Sequence, residues 1–158
     1  MPTKTKRAKI KPIPDDRHCI VPRLSYADAA KAMAWYKRAF RAVEIMRFAV
    51  PDGKIAHAEM KIGNAVFALT DGHPDDKTPL ELGGHTVVLD VYVQDVDSFV
   101  NRAVKAGAKI IYPVGNAFYG DRGGRIEDPF GHSWGIGSRI ENMTPAEMKR
   151  RLKAKSGG

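Results

Sequence analysis

Three stretches of this chain carry residue types at spacings that could do chemistry. His57 and Glu59 stand two apart in "KIAHAEMKIG", so an extended strand puts both side chains on one face. An imidazole and a carboxylate placed in this way could hold one divalent metal ion or work as acid and base. The alternative is a polar strand face opposite Ala56, Ala58 and Met60. The second stretch, "EDPFGHSWGI" from Glu127 to Ile136, sets His132 near Asp128. Pro129 and Gly131 predict a tight turn there, and Trp134 and Ile136 then alternate with small residues as on a strand. One histidine beside one aspartate does not make a metal site. The third, "GNAFYGDRGG" from Gly115 to Gly124, predicts a mobile loop at a cavity mouth, with Asp121 and Arg122 able to orient a ligand. Arg122 and Arg125 could instead pair with Glu127 and Asp128.

Other side chains have weaker claims. Tyr92, Phe118, Tyr119 and Trp134 could line a slot for a planar ligand, although Trp134 is expected in the core. His18, His73 and His85 fall near strand ends or in polar connections and are expected at the surface. Cys19 is the sole cysteine, so no disulfide can close within the chain, and no base stands beside it to make it a nucleophile.

The elements that must position these residues come in two copies. "CIVPRLSYADAAKAMAWYKRAFRAVEI" (Cys19–Ile45) and "TVVLDVYVQDVDSFVNRAVKAGAKII" (Thr86–Ile111) each read as an apolar strand, a capping aspartate, a helix and a strand. Asp28 and Asp95 stand where an N-cap carboxylate accepts free backbone N–H groups. Ala29, Met33, Tyr36 and Phe40 recur at near-helical spacing, as do Val96, Phe99, Val100 and Ala103. Gly107 ends the second helix. Downstream, "KIAHAEMKIGNAVFAL" matches "RGGRIEDPFGHSWGIG"; aligning Gly63 with Gly131 pairs His57 with Arg125 and Glu59 with Glu127. The pattern predicts an α+β fold of two βαβββ modules, 18–70 and 85–140. A polar linker over 71–84 joins them, and "TPAEMKRRL" opens a capped C-terminal helix.

Length and composition restrict the function classes. A chain of 158 residues with 43% hydrophobic residues suits one globular domain, and no apolar run approaches the ~20 residues of a membrane span. No apolar leader segment is evident, and a cytoplasmic location is expected. The net charge of +8 sits in the tails. Residues 1–11 and 149–155 carry five unopposed positive charges each, which leaves −2 for the body between them. A disordered basic tail over residues 1–17 and a basic C-terminal end are expected. They could touch a phosphate backbone weakly, but no sequence-specific nucleic-acid motif accompanies them.

"AWYKRAF", "PDGKIAHAEMKIG", "VYVQDVD" and "GDRGGRIEDPFGHSW", with the duplicated plan, resemble the vicinal oxygen chelate superfamily (glyoxalase, bleomycin-resistance protein, extradiol dioxygenase), and its PhnB-like branch most closely. The resemblance covers about residues 18–150. It implies curved mixed sheets around a cavity, a homodimer, and in metal-using members His, Gln or Glu ligands on the first and last strands of each module. Carried onto this chain, those positions are Val21, Val88, Phe67 or its neighbour Ala68, and Gly135, none of which can donate to a divalent ion.

Alternation then predicts which residues face the cavity. Val87, Leu89, Val91 and Val93 should lie under the second helix, and Val88, Asp90 and Tyr92 opposite. Ile20, Pro22 and Leu24 should lie under the first helix, and Cys19, Val21 and Arg23 opposite. Arg23 and Asp90 hold equivalent places and could form an ion pair. The expected ligand-binding residues are Arg23, His57, Glu59, Asp90, Tyr92, Phe118, Tyr119 and Arg122, with no cofactor. The alternative is a lyase or dioxygenase with one divalent metal ion at an atypical site.

Overall fold

A computed structural model describes residues 8–157. Residues 1–7, most of the basic N-terminal stretch, lie outside them. The elements run β1 (Arg23–Tyr26), α1 (Ala29–Phe40), β2 (Val43–Ala49), β3 (Ile55–Ile62), β4 (Ala65–Asp71), α2 (Pro79–Leu82), β5 (Val88–Tyr92), α3 (Val96–Lys105), β6 (Lys109–Asn116), β7 (Asp121–Glu127), β8 (Ser133–Arg139) and α4 (Pro145–Ser156). Two four-stranded mixed sheets result, ordered β1-β4-β3-β2 and β5-β8-β7-β6, and neither closes into a barrel. In each, the first strand pairs parallel with the last, and two hairpins supply the antiparallel pairs. This is the duplicated βαβββ plan.

Local chemistry explains the element ends. Asp28 accepts the backbone N–H of Lys31 at 2.9 Å, and Asp95 that of Ser98 at 3.0 Å. Each cap satisfies a donor that the first helical turn leaves free, worth about 1 kcal/mol. Arg41 ends α1 in the left-handed region, and Gly107 follows α3 with positive φ. The connection between modules is not wholly irregular. Thr78 and Glu81 form a reciprocal capping box around Pro79 and start α2. Thr144, Pro145 and Glu147 start α4 in the same way.

One core serves both modules. The apolar stripes of α1 and α3 are buried, including Ala29, Met33, Tyr36 and Phe40 from one and Val96, Phe99, Val100 and Ala103 from the other. Phe40 packs on Phe99 with ring centroids 4.9 Å apart, and on Trp134 at 5.1 Å. The Trp35 indole donates to the carbonyl of Ala106 at 2.7 Å, and Arg102 Nε donates to that of Ala39 at 2.8 Å. Ala58, Met60, Phe67, Leu69, Ile126, Trp134 and Ile136 bring the inner faces of both sheets to this core. The opposite, concave faces therefore turn away from it, one per module.

A buried polar cluster pins the turn in "EDPFGHSWGI". Asp128 accepts from the Trp134 indole at 2.8 Å, from the backbone N–H groups of Phe130 and His132, and from the Tyr36 hydroxyl, which also bonds Tyr26. Burial pushes the Asp128 carboxyl above its ordinary range, against the pull of these donors. Burial likewise lowers His132, whose Nε2 lies 3.1 Å from the carbonyl of Ser25. Asp128 and His132 thus join α1, β1 and β8 as structural groups. The turn reading of this stretch holds.

Candidate functional site

The concave face of the second sheet is built from rows of paired residues. Asp90, Gly135, Arg125 and Tyr112 lie side by side on β5, β8, β7 and β6. Tyr92, Gly137, Gly123 and Gly115 form the next row. Glycines in the middle strands leave a floor without side chains, and longer residues on either side make walls. The result is a cavity of about 480 Å³, with Tyr92, Tyr112 and Tyr119 around it and Asp90, Asp121 and Arg125 as its charged groups.

Each polar wall residue has a defined state. The Tyr92 hydroxyl donates to Asp121 at 2.7 Å, and Arg139 Nε donates to the same carboxylate. Burial pushes Asp121 up, but these two hydrogen bonds outweigh it and hold the carboxyl below its ordinary value. The bond to Asp121 in turn raises the Tyr92 phenol. Arg125 Nε donates to Ser133 Oγ at 2.7 Å, and its guanidinium lies 5.8 Å from the centre of the Tyr112 ring. The Asp90 carboxylate lies over Gly135, so close that a Cβ on residue 135 could not fit.

The expected site residues do not all meet here. Asp90, Tyr92 and Tyr119 line the cavity, and Val88, Asp90 and Tyr92 share the concave face as alternation predicts. Phe118 packs edge-on against Tyr119, with centroids 5.2 Å apart. Arg122 points elsewhere: it makes a bidentate pair with Asp97 at 2.8 Å and donates to Asn116 at 2.9 Å. Neither Arg122 nor Arg125 pairs with Glu127 or Asp128. Arg23 is 62% exposed on its side chain and lies 3.9 Å from Asp76, not against Asp90. The two equivalent positions belong to different sheets, each facing its own concave side, which is why the expected pair does not form within the chain.

The stretch Gly115–Gly124 is a hairpin rather than an open loop. β6 runs to Asn116, β7 starts at Asp121, and Ala117 N donates to the Asp121 carbonyl at 2.7 Å. Gly120 sits at φ +89°, and its carbonyl accepts from Ile140 and Glu141. A Cβ there would meet the Glu141 carbonyl at 2.7 Å, so the tip is pinned to the segment before α4.

His57 and Glu59 occupy the concave face of the first sheet. The row Arg23, Ala68, Glu59, Met46 runs across it. Strand register therefore makes Glu59, not His57, the counterpart of Arg125. The turn glycine stands two residues after Lys61 but four after Glu127, so aligning the two glycines shifts β3 against β7 by two residues. Glu59 receives Arg17 Nη1 at 2.9 Å, and His57 Nε2 lies 3.2 Å from the same oxygen. Burial pushes the Glu59 carboxyl up, but Arg17 and His57 outweigh it and hold it below its ordinary value.

The donor chemistry does not fit a metal ion. Val21, Val88, Phe67, Ala68 and Gly135 offer no donor side chain. Among the described residues no three His, Cys, Asp or Glu side chains converge. The His57–Glu59 pair supplies two donors, and the Arg17 cation already sits on one of them. Cys19 is free and exposed. Among the described residues no helix is long and apolar enough to cross a membrane.

Comparison with known proteins agrees with this architecture. An uncharacterized Mycobacterium bovis protein, Mb0911c, is 36% identical over 142 residues, covering 87% of this chain and 93% of its own length. Rv0887c of Mycobacterium tuberculosis, also uncharacterized, is 36% identical over 142 residues, covering 87% and 84%. Among solved structures, TioX from Micromonospora sp. ML1 superposes with a TM-score of 0.63 at 29% identity, over 80% of this chain and all of that one. A PhnB protein from Bacillus cereus shares the fold at a TM-score of 0.57 and 18% identity, over 77% of this chain and 99% of that one. The family model for the Glyoxalase/Bleomycin resistance protein/Dioxygenase superfamily matches residues 18–136, from before β1 to the middle of β8, and the chain belongs to that superfamily.

Proposed function

We propose that this chain binds a small planar organic molecule on the concave face of its second sheet, without a metal ion, and holds it rather than converting it. The glycine floor between tyrosine walls is the observation that carries this reading. An aromatic face can lie on Tyr92 or Tyr112, where stacking and burial of apolar surface both contribute. Asp90 and Arg125 stand on either side of Gly135. Two strand spacings separate their backbones, roughly 9–10 Å. A ligand with an amine at one end and an acid at the other would meet both. Asp90 accepts no hydrogen bond from any described residue, so its carboxylate is available to a donor.

A second copy of the chain is the proposed cover. Phe48 and Val43 on the first concave face, and Tyr92 and Tyr112 on the second, are each at least 60% exposed. Exposed apolar surface of this extent on a folded chain marks an interaction face. Arg23 and Asp90 hold equivalent places on the two faces with opposite charge, so the first face of one copy complements the second face of another.

The test screens planar aromatic compounds bearing an amine, a carboxylate or both by saturation-transfer NMR, with sedimentation velocity on the same samples. Binding of the two-ended compounds, weakened in Asp90→Asn and in Gly135→Leu, with a dimer in the centrifuge, is the expected result. No binding by any compound, or binding unchanged in both variants, overturns the ligand site. A monomer at micromolar concentration overturns the cover.

A further inference from the structure

Glu59 stands out among the carboxylates of this chain. It is only 6% exposed, and its Oε2 is buried without a hydrogen-bond partner among the described residues. The other oxygen takes one guanidinium nitrogen of Arg17 and faces His57. A carboxylate matched to a guanidinium normally receives it through both oxygens. Here one nitrogen reaches one oxygen, and Arg17 Nε turns outward to Asp16 at 3.3 Å.

Among the described residues the Arg17 side chain bonds only Glu59 and its neighbour Asp16. It precedes β1 on a segment with no strand or helix from residue 8 to residue 22, and reaches Glu59 across 42 residues of sequence. Under the pair the sheet offers Ala68, the small neighbour of Glu59 on β4, with Met46 on the other side. A half-satisfied buried carboxylate on a rigid sheet, plugged by an arginine from an irregular segment, has the form of a site filled by its own chain.

We propose that Arg17 stands in for the cationic group of a ligand. Glu59 is an anionic subsite on the first sheet that takes a guanidinium or alkylammonium group through both oxygens, and the segment carrying Arg17 is a strap that fills it until such a group displaces it. This does not depend on the second-sheet cavity being a ligand site. Arg17 already neutralises the carboxylate, so a free cation must compete with it. Removing Arg17 converts that competition into open binding.

The probe is agmatine, which carries both a guanidinium and a primary ammonium. Titration by isothermal calorimetry compares the wild-type chain with Arg17→Gln, Arg17→Gln/Glu59→Gln and Arg17→Gln/Asp90→Asn, each checked for native fold by near-ultraviolet circular dichroism. The expected result is at least a tenfold lower Kd in Arg17→Gln than in wild type. That binding is lost in the Glu59→Gln double variant and kept in the Asp90→Asn one. Equal or absent binding in wild type and Arg17→Gln overturns the proposal, as does loss of binding in Arg17→Gln/Asp90→Asn. Should Arg17→Gln not fold, NMR of the wild-type Arg17 Nε–H under agmatine titration reads the same displacement. A signal unmoved at saturating agmatine then overturns it.

Discussion

The Asp90 carboxylate occupies the space above the Gly135 Cα, where any side chain at position 135 would have to go. The two residues are register partners on β5 and β8, so the glycine is what lets an acidic side chain lie flat along the cavity floor. Gly135→Ala should therefore move Asp90 or the strand. Overpacking of this kind costs about 1–3 kcal/mol. The expected outcome in urea unfolding is a stability loss in Gly135→Ala that largely disappears in the Gly135→Ala/Asp90→Gly double variant. Additive losses would mean the contact is not the cause.

Tyr36 and Trp134 both donate to Asp128, from α1 in the first module and β8 in the second. Tyr36→Phe deletes one donor and leaves the ring in place. Leaving a buried acceptor short of a partner costs about 1–3 kcal/mol. Tyr36→Phe should lower the unfolding free energy by that amount without changing the slope against urea. Asp128→Ala removes the acceptor for four donors at once and should cost more. A Tyr36→Phe variant as stable as wild type would show that Asp128 is satisfied without it.

Much of this arrangement was legible in the sequence, and the limits have physical causes. Capping aspartates 67 residues apart, helical spacing from Ala29 to Phe40 and alternation along β5 are local patterns, and local patterns set the elements. α2 was legible too, because Thr78-Pro79-Leu80-Glu81 carries the same capping signature as Thr144-Pro145-Ala146-Glu147, although the polar composition around it pointed to a linker. What spacing could not show was which charges meet. Arg17 belongs to a stretch that composition marks as a solvated tail, yet it finds Glu59 because the fold brings β3 beneath it. Arg122 looked ligand-facing, but alternation on β7 puts Arg125 and Gly123 on the concave face and turns Arg122 toward Asp97 on α3. A two-residue difference in where the turn glycine falls after the strand was enough to pair His57 with the wrong counterpart.

Phe40 contacts Phe99 and Trp134, so the two modules share one core rather than owning one each. A unit held together in this way should unfold in a single step. Trp35 on α1 and Trp134 on β8 report the two modules by fluorescence, and circular dichroism reports the whole. Coincident urea transitions are expected, and Phe40→Ala should shift both probes together by about 3–5 kcal/mol. Separate transitions would mean that each module folds on its own.

The Arg17–Glu59 pair sets a pH dependence whose sign follows from the carboxyl. Glu59 is held below its ordinary value of 4.5 in the folded chain, so the unfolded chain binds more protons between the folded value and 4.5. Stability from the pair is fully present above pH 4.5 and is lost as pH falls through the folded value. Arg17→Gln removes the guanidinium but leaves the burial of Glu59, which by itself pushes the carboxyl up. The variant should therefore melt below wild type at neutral pH, and the gap in Tm should close as pH falls below 4.5. Raised salt should narrow the gap only modestly, because the carboxylate is shielded from solvent. A gap that stays constant through this range would assign the effect of Arg17 to packing rather than to charge.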